Sequence, residues 1–413
     1  MSAHRLFASP ALGDPARRAF WTLVAIGTVV RLVVAFATAG TGFDIESWRL
    51  VREALSTAPL DVYSTVNEPN APHFPYPPGF FAWIVLSGWL HDLTGLRYDG
   101  FVQVAPIAAD AAIAWVVQAF LGQCGASDRT RIAAAALVAL GPSFGLISGY
   151  TAQIDSLVIL PALLGVWAWL RADPAQRALL AGLLIGLGGS VKVPALLVVL
   201  ALLPTARSLR EAATLGATAA AVPLLMLSPW LLADPDGTVG ALRSNDGLPG
   251  FGGISLLVQP GLSALWLGTR ESVGLTPASE WLFDRASLFA IGSLLTAGAV
   301  LLWRRTPPVL AGLVVYLTFY AFGINFGVQY LIWGLPFALL AGRLVPVAAL
   351  QAALIVPTAI GIGLGPEGEP LHYVYTPIML LVWAGLVAWW AVEMREVLRG
   401  ERGRQGLTAT RPV

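Results

Sequence analysis

Phe20-Trp21-Thr22-Leu23-Val24-Ala25-Ile26-Gly27-Thr28-Val29-Val30-Arg31-Leu32-Val33-Val34-Ala35-Phe36-Ala37-Thr38-Ala39 is an apolar run of 20 residues whose single charge is Arg31. As a helix it reaches about 30 Å, the depth of a bilayer's hydrocarbon core. Similar runs recur at about 79–94, 101–121, 131–148, 154–170, 178–204, 212–232, 286–303, 309–322, 328–341, 344–363 and 373–392. The chain therefore reads as an all-α, polytopic transmembrane protein of about 12 spans, with 178–204 either one broken span or two short ones. Composition agrees. The 413 residues are 56% hydrophobic and only 12% charged, where a soluble domain carries about 25% charge. The mean hydropathy is +0.72.

Several classes fall away at once. A membrane β-barrel would show segments of about ten residues with alternating polarity, and none occur. The first run follows Arg5, Arg17 and Arg18, but it is too long for a signal core and lacks a small-residue cleavage site, so it is read as a retained helix. Cys124 is the lone cysteine, which rules out a disulfide framework and any Cys-based metal site. A net charge of +1 gives no footprint for nucleic acid, and neither a Walker loop nor a dinucleotide fingerprint is present.

Basic residues in short loops mark the cytoplasmic side. Arg304, Arg305, Arg343 and the tail with Arg395, Arg399, Arg402 and Arg404 lie there, as does the N-terminus. Both termini are then cytoplasmic in a multi-pass protein of the plasma (inner) membrane. The chain divides into a cytoplasmic tail (1–19), an N-terminal transmembrane module (20–232) with an external loop (40–78), an external polar loop with short helices (233–285), C-terminal transmembrane helices (286–392) and a cytoplasmic basic tail (393–413). In the first half Arg129 with Arg131, Arg171 with Arg177, and Arg207 with Arg210 cannot all be inside if every segment crosses once. One segment is broken or re-entrant. The choice falls on 178–204, interrupted by Gly186, Gly188, Gly189, Lys192 and Pro194, because unpaired backbone must be lined by protein or water. The side on which Asp155 and Lys192 lie stays open.

Loop 40–78 holds the first candidate chemistry. Gly42-Phe43-Asp44-Ile45-Glu46-Ser47-Trp48 places two acids just past the first span. Ile45, Trp48, Val51, Ala54 and Leu55 interleave with Glu46, Arg49, Arg52 and Glu53 at helical spacing, as in an amphipathic helix lying in the membrane interface. Asp44 precedes this run and can cap it. A carboxylate at the membrane boundary is also partly desolvated, which raises its basicity and suits a general base. Pro72-His73-Phe74-Pro75-Tyr76-Pro77-Pro78-Gly79 then forms a rigid extended strand leading into the second span.

Certain stretches resemble the GT-C superfamily, polytopic glycosyltransferases with a polyprenyl-phosphate sugar donor, especially the bacterial mannosyltransferase-like branch and the eukaryotic GPI mannosyltransferase I. They are Phe43-Asp44-Ile45-Glu46, Phe74 to Gly79, Tyr150-Thr151-Ala152-Gln153-Ile154-Asp155-Ser156-Leu157, Ala181 to Leu187 with Lys192, and Gln329-Tyr330-Leu331-Ile332-Trp333-Gly334-Leu335-Pro336-Phe337. The resemblance implies transfer of a hexose, mannose above all, to a lipid or glycan acceptor on the external face. Asp44 would be the base and Glu46 a second acid. No cofactor is required, although the acid pair leaves room for a divalent metal. Asp-Ile-Glu stands where the family often has two aspartates, which lengthens one arm.

The phosphate needs cations, and three are available. Arg31 lies in the first span, where it either serves the site, snorkels, or pairs with a buried acid such as Asp110. Lys192, the only lysine, stands in the broken segment; Arg243 is in the external loop, where a solvated arginine is the simpler reading. Gln153 and Asp155 begin an apolar run and are read as substrate contacts. Asn325, Gln329 and Tyr330 can bind sugar hydroxyls, or merely cap helices and anchor the interface. His73 and Tyr76 suit a substrate contact, with Tyr76 equally able to anchor at the interface. The rival is a secondary transporter or lipid flippase, which would show corresponding broken helices in both halves. A loop 40–78 folded over a cavity with Lys192 or Arg31 favours the enzyme.

Overall fold

The computed structural model describes residues 10–40, 42–66, 74–243, 250–259, 275–364 and 371–400. Among them the regular structure is helical throughout. Apolar segments lie at the positions read from the sequence, and among the described residues seven helices are long and apolar enough to cross a bilayer: Asp14–Ala37, Tyr98–Gln123, the Asp128–Gly149 run, Leu209–Ala233, Ala286–Arg304, Leu344–Gly361 and His372–Arg399. The other segments are shorter, among them Phe81–Thr94, Asp155–Arg171, Arg177–Val191 and Pro308–Phe322. A helix of 15 residues such as Pro308–Phe322 covers only about 23 Å, less than the hydrocarbon core. It can be short because most of its side chains are buried in protein and meet no lipid.

The segment 178–204 is broken, though not by its glycines. Helix Arg177–Val191 runs through Gly186, Gly188 and Gly189 and stops at Lys192, whose backbone is extended (φ −158°, ψ 133°). Pro194 follows, and the chain continues as 3₁₀ turns and a short helix to Thr205. The glycines serve packing instead. A Cβ on Gly188 would lie 2.5 Å from the carbonyl oxygen of Val158, and one on Gly186 would lie 2.9 Å from that of Ala219, so these helices touch backbone to backbone.

The first loop forms its own layer. Helix Gly42–Thr57 buries Ile45, Trp48, Val51 and Ala54 against Val62, Tyr63, Phe74, Phe80, Phe81 and Ile84. The amphipathic reading is right in period, but the apolar stripe faces a protein core and not headgroups. Arg52 donates to Asp92 at 2.6 Å and Arg49 to Asp99 at 2.8 Å, which ties the outer face to helices Phe81–Thr94 and Tyr98–Gln123. Asp44 lies in the first turn of a helix that already begins at Gly42, so it is not the cap.

Gly79 joins this layer to the break. A Cβ there would lie 2.5 Å from the carbonyl oxygen of Ser190, two residues before Lys192. Gly79→Ala is expected to lower stability by about 1–3 kcal/mol through overpacking against backbone. Thermal unfolding in detergent checks this against Gly216→Ala, where the new methyl meets open space and a helix-interior glycine gives way to a better helix former.

Candidate active site

Four segments meet below the first loop. The turn after helix Pro142–Gly149 carries Ala152 at φ 59°, a left-handed conformation that costs a non-glycine residue about 1–2 kcal/mol. It is held by what surrounds it. Trp48 Nε1 donates to the Ala152 carbonyl at 3.2 Å, Thr151 Oγ1 donates to Ile147 O at 2.7 Å, and the backbone N–H of Gln153 donates to Ile147 O at 3.2 Å. The kink turns Gln153 toward the first loop and lets helix Asp155–Arg171 start with an acid in its first turn, where the helix dipole favours negative charge.

Asp155 is fully buried, and its Oδ1 accepts from Lys192 Nζ at 3.2 Å and from Trp333 Nε1 at 2.6 Å. Lys192, 3% exposed, also lies over three rings: Tyr76 at 4.7 Å, Tyr330 at 4.9 Å and Trp333 at 5.7 Å. Each is within cation–π range. Tyr330 stacks on Trp333 with centroids 4.4 Å apart. The break in the helix thus places one ammonium where the loop strand, the 3₁₀ turn Val328–Trp333 and the start of helix Asp155–Arg171 converge.

Asp44 faces the same place. Gln153 Nε2 donates to its Oδ1 at 2.8 Å, and the half-buried carboxyl is pushed up from 3.8 to about 6. Burial is the main cause; it outweighs the Gln153 hydrogen bond and the Lys192 charge, which act the other way, and Asp155 adds to it. Burial likewise raises the Tyr76 phenol, which stays neutral. Among the described residues, two acceptor atoms of this site are buried without a partner, Gln153 Oε1 and Asp155 Oδ2, while Gln329 folds back so that a Cβ on Gly327 would lie 2.3 Å from its Oε1. A ligand that brings O–H donors would satisfy the two.

Glu46 does not join Asp44. Two residues apart on a helix, the side chains leave on opposite faces, and Glu46 is exposed beside Arg49 at 3.4 Å. The two carboxylates therefore do not face one point, and no group of three His, Cys, Asp or Glu side chains among the described residues is placed to hold a metal ion. Arg31 takes the third of its courses, pairing with Asp110. Its Nη1 donates to Ala139 O at 2.6 Å, its Nη2 to Val138 O at 2.9 Å, and its Nε lies 3.3 Å from Asp110. Asp110 in turn accepts from Ser148 and Ser156, so this buried network braces the turn from beneath.

Of the remaining residues, Tyr76 and Tyr330 belong to the Lys192 cluster and Gln329 lies one residue from it. Asn325 is half-buried in the turn where the backbone amides of Ile254 and Ser255 bind Gly323 O and Ile324 O. Arg243 is exposed at the end of helix Pro235–Arg243. His73 falls outside the described residues, as does the apolar stretch 260–268. Sequence reasoning missed Trp333, which donates to Asp155 and walls the ammonium; its signal, a Trp two residues beyond Leu331 in an apolar run, is that of any core residue.

The chain aligns with ArnT from Cupriavidus metallidurans bound to undecaprenyl phosphate at 14% identity over 92% of this chain and 77% of that one, with a TM-score of 0.47. The apo form of the same protein gives 15%, 92%, 78% and 0.48. An Archaeoglobus fulgidus oligosaccharyltransferase tethered to an acceptor peptide gives 14%, 91%, 55% and 0.41. No curated protein matches the chain. The sequence model of Glycosyltransferase family 87 matches residues 74–322, more than half of the chain, and takes in Tyr76, Gln153, Asp155 and Lys192. The protein therefore belongs to glycosyltransferase family 87 and is a membrane glycosyltransferase of the GT-C type.

Proposed function

We propose that this enzyme moves a hexose, mannose in the first instance, from a polyprenyl-phosphate donor to a hydroxyl of a lipid or glycan acceptor on the external face of the plasma membrane, both termini lying in the cytoplasm. Asp44 is the base. The acceptor oxygen gives its proton to Asp44 and bonds to the anomeric carbon, while the bond from that carbon to the phosphate oxygen breaks and the polyprenyl phosphate leaves with the electron pair. Lys192 shows one hydrogen bond, to Asp155, and an ammonium has three donors, so it can face the leaving phosphate without surrendering its partner. The observation that carries this reading is the placement of a half-buried carboxylate and a caged ammonium in one site beneath the first loop. The buried, unpartnered acceptors of Gln153 and Asp155 support a polyhydroxyl ligand. Tyr76 of the first loop lies on Lys192, the arrangement that favours the enzyme over a transporter.

The test is transfer in proteoliposomes supplied with polyprenyl-phosphate mannose, polyprenyl-phosphate glucose or nucleotide sugars. Product from a lipid-linked donor alone is expected; transfer from a nucleotide sugar and from no lipid-linked donor refutes the reading. The pH profile gives a second check. A base works only when ionised, and Asp44 stands at about 6. The rate is expected to be flat above about pH 7 and to fall about tenfold per pH unit well below pH 6, with the acid limb set by this group.

A further inference from the structure

We infer that Gln153 is a positioning residue, one that holds the Asp44 carboxylate by Oδ1 so that Oδ2 is left to take the acceptor's proton. This rests on Asp44 as the base. Asp44 and Gln153 are 109 positions apart, and the hydrogen bond between them is the one that Asp44's side chain makes among the described residues. Gln153 is 6% exposed, so its amide has neither solvent nor rotamer freedom to exchange into. A carboxylate only accepts, which fixes the NH₂ end of the amide toward Asp44 and leaves Oε1 as the unpartnered end.

The backbone is built for this contact. Trp48 lies one helical turn after Asp44, on the same face, and its indole binds the Ala152 carbonyl immediately before Gln153. A second close approach pins the same turn: a Cβ on Gly40 would lie 2.5 Å from Tyr150 O. Two hydrogen bonds therefore clamp the first-loop helix to a strained turn, one backbone-directed and one on the carboxylate. The division of labour follows from what each bond touches. Trp48 sets the distance between the elements, and Gln153 sets which oxygen of Asp44 is free. The charged and titratable groups facing Asp44 are Lys192 from the helix break, Asp155 from the following helix and Tyr76 from the proline strand. On its own helix Glu46 and Arg49 are exposed and pair with each other.

Gln153→Met in nanodiscs tests this, because it keeps length and shape without the amide. The measurements are kcat and KM for transfer from polyprenyl-phosphate mannose, the carboxylate infrared band that Asp44→Asn removes, and the thermal midpoint. The expected result is a kcat lower by about 10–100-fold with both KM values within about twofold, and a shifted Asp44 band. Trp48→Phe is expected to lower the midpoint while leaving the Asp44 band in place. If Gln153→Met does not fold, Gln153→Asn, too short to reach, carries the same expectation. An unmoved band in Gln153→Met, a raised KM with unchanged kcat, or a Trp48→Phe shift equal to that of Gln153→Met overturns the assignment. Full turnover by Asp44→Asn would instead remove the base, and the band shift would still report the Gln153 contact by itself.

Discussion

Asp44→Asn is expected to lower kcat for sugar transfer by about 10²–10⁴-fold, the range that a lost general base contributes. The substitution is close to isosteric, and the asparagine oxygen can still accept from Gln153 Nε2, so the turn and the loop stay in place. What disappears is a group able to take a proton near neutral pH. Glu46→Gln serves as the comparison. Glu46 is exposed and its pairing with Arg49 is of the surface kind, worth about 0–1 kcal/mol, so turnover is expected to stay within about twofold. Initial rates from one defined lipid-linked donor settle both. Equal losses in the two variants would mean that the acids act as a unit despite leaving opposite faces of the helix.

Lys192→Met is expected to destabilise the protein by about 3–5 kcal/mol, since it leaves the carboxylate of Asp155 buried without its cation. Trp333 still donates to that carboxylate, but a neutral indole does not balance a charge. Pairing Lys192→Met with Asp155→Leu removes both charges and is expected to restore most of the thermal midpoint, because buried pairs replaced by apolar residues are often neutral in stability. Transfer activity is not expected to return. The pair thus separates two duties of Lys192, holding the break together and facing phosphate. A single Lys192→Met variant with an unchanged midpoint would show that Asp155 does not depend on it.

Much of the first loop is legible in the sequence. The 3.6-residue period from Ile45 to Leu55 marks the helix, and a sole lysine amid glycines and Pro194 marks the break; of the expected extended strand, Pro72 and His73 lie outside the described residues, and the chain, still extended at Pro77, turns into a 3₁₀ helix at Pro78. The register of the acids is not legible in the sequence, for a local reason. Placing the helix start after Asp44 made the two acids look like neighbours, whereas a helix beginning at Gly42 sends Asp44 and Glu46 to opposite sides. Arg31 was undecidable along the chain, because an arginine in a span must find some partner and Asp110 is 79 positions away.

By itself the sequence determined the class and the currency of the site. An apolar chain has to fold as helices in lipid, since every backbone polar group there must be satisfied internally, and few polar residues remain to carry chemistry. Tertiary structure alone decided which of those residues meet. Lys192 faces Asp155, Trp333 and two tyrosines, and Gln153 reaches Asp44, across separations of 37 to 141 and of 109 positions, because helix packing and one strained turn at Ala152 bring them together. Hydrophobic period records which face a helix buries; it holds no record of what lies opposite.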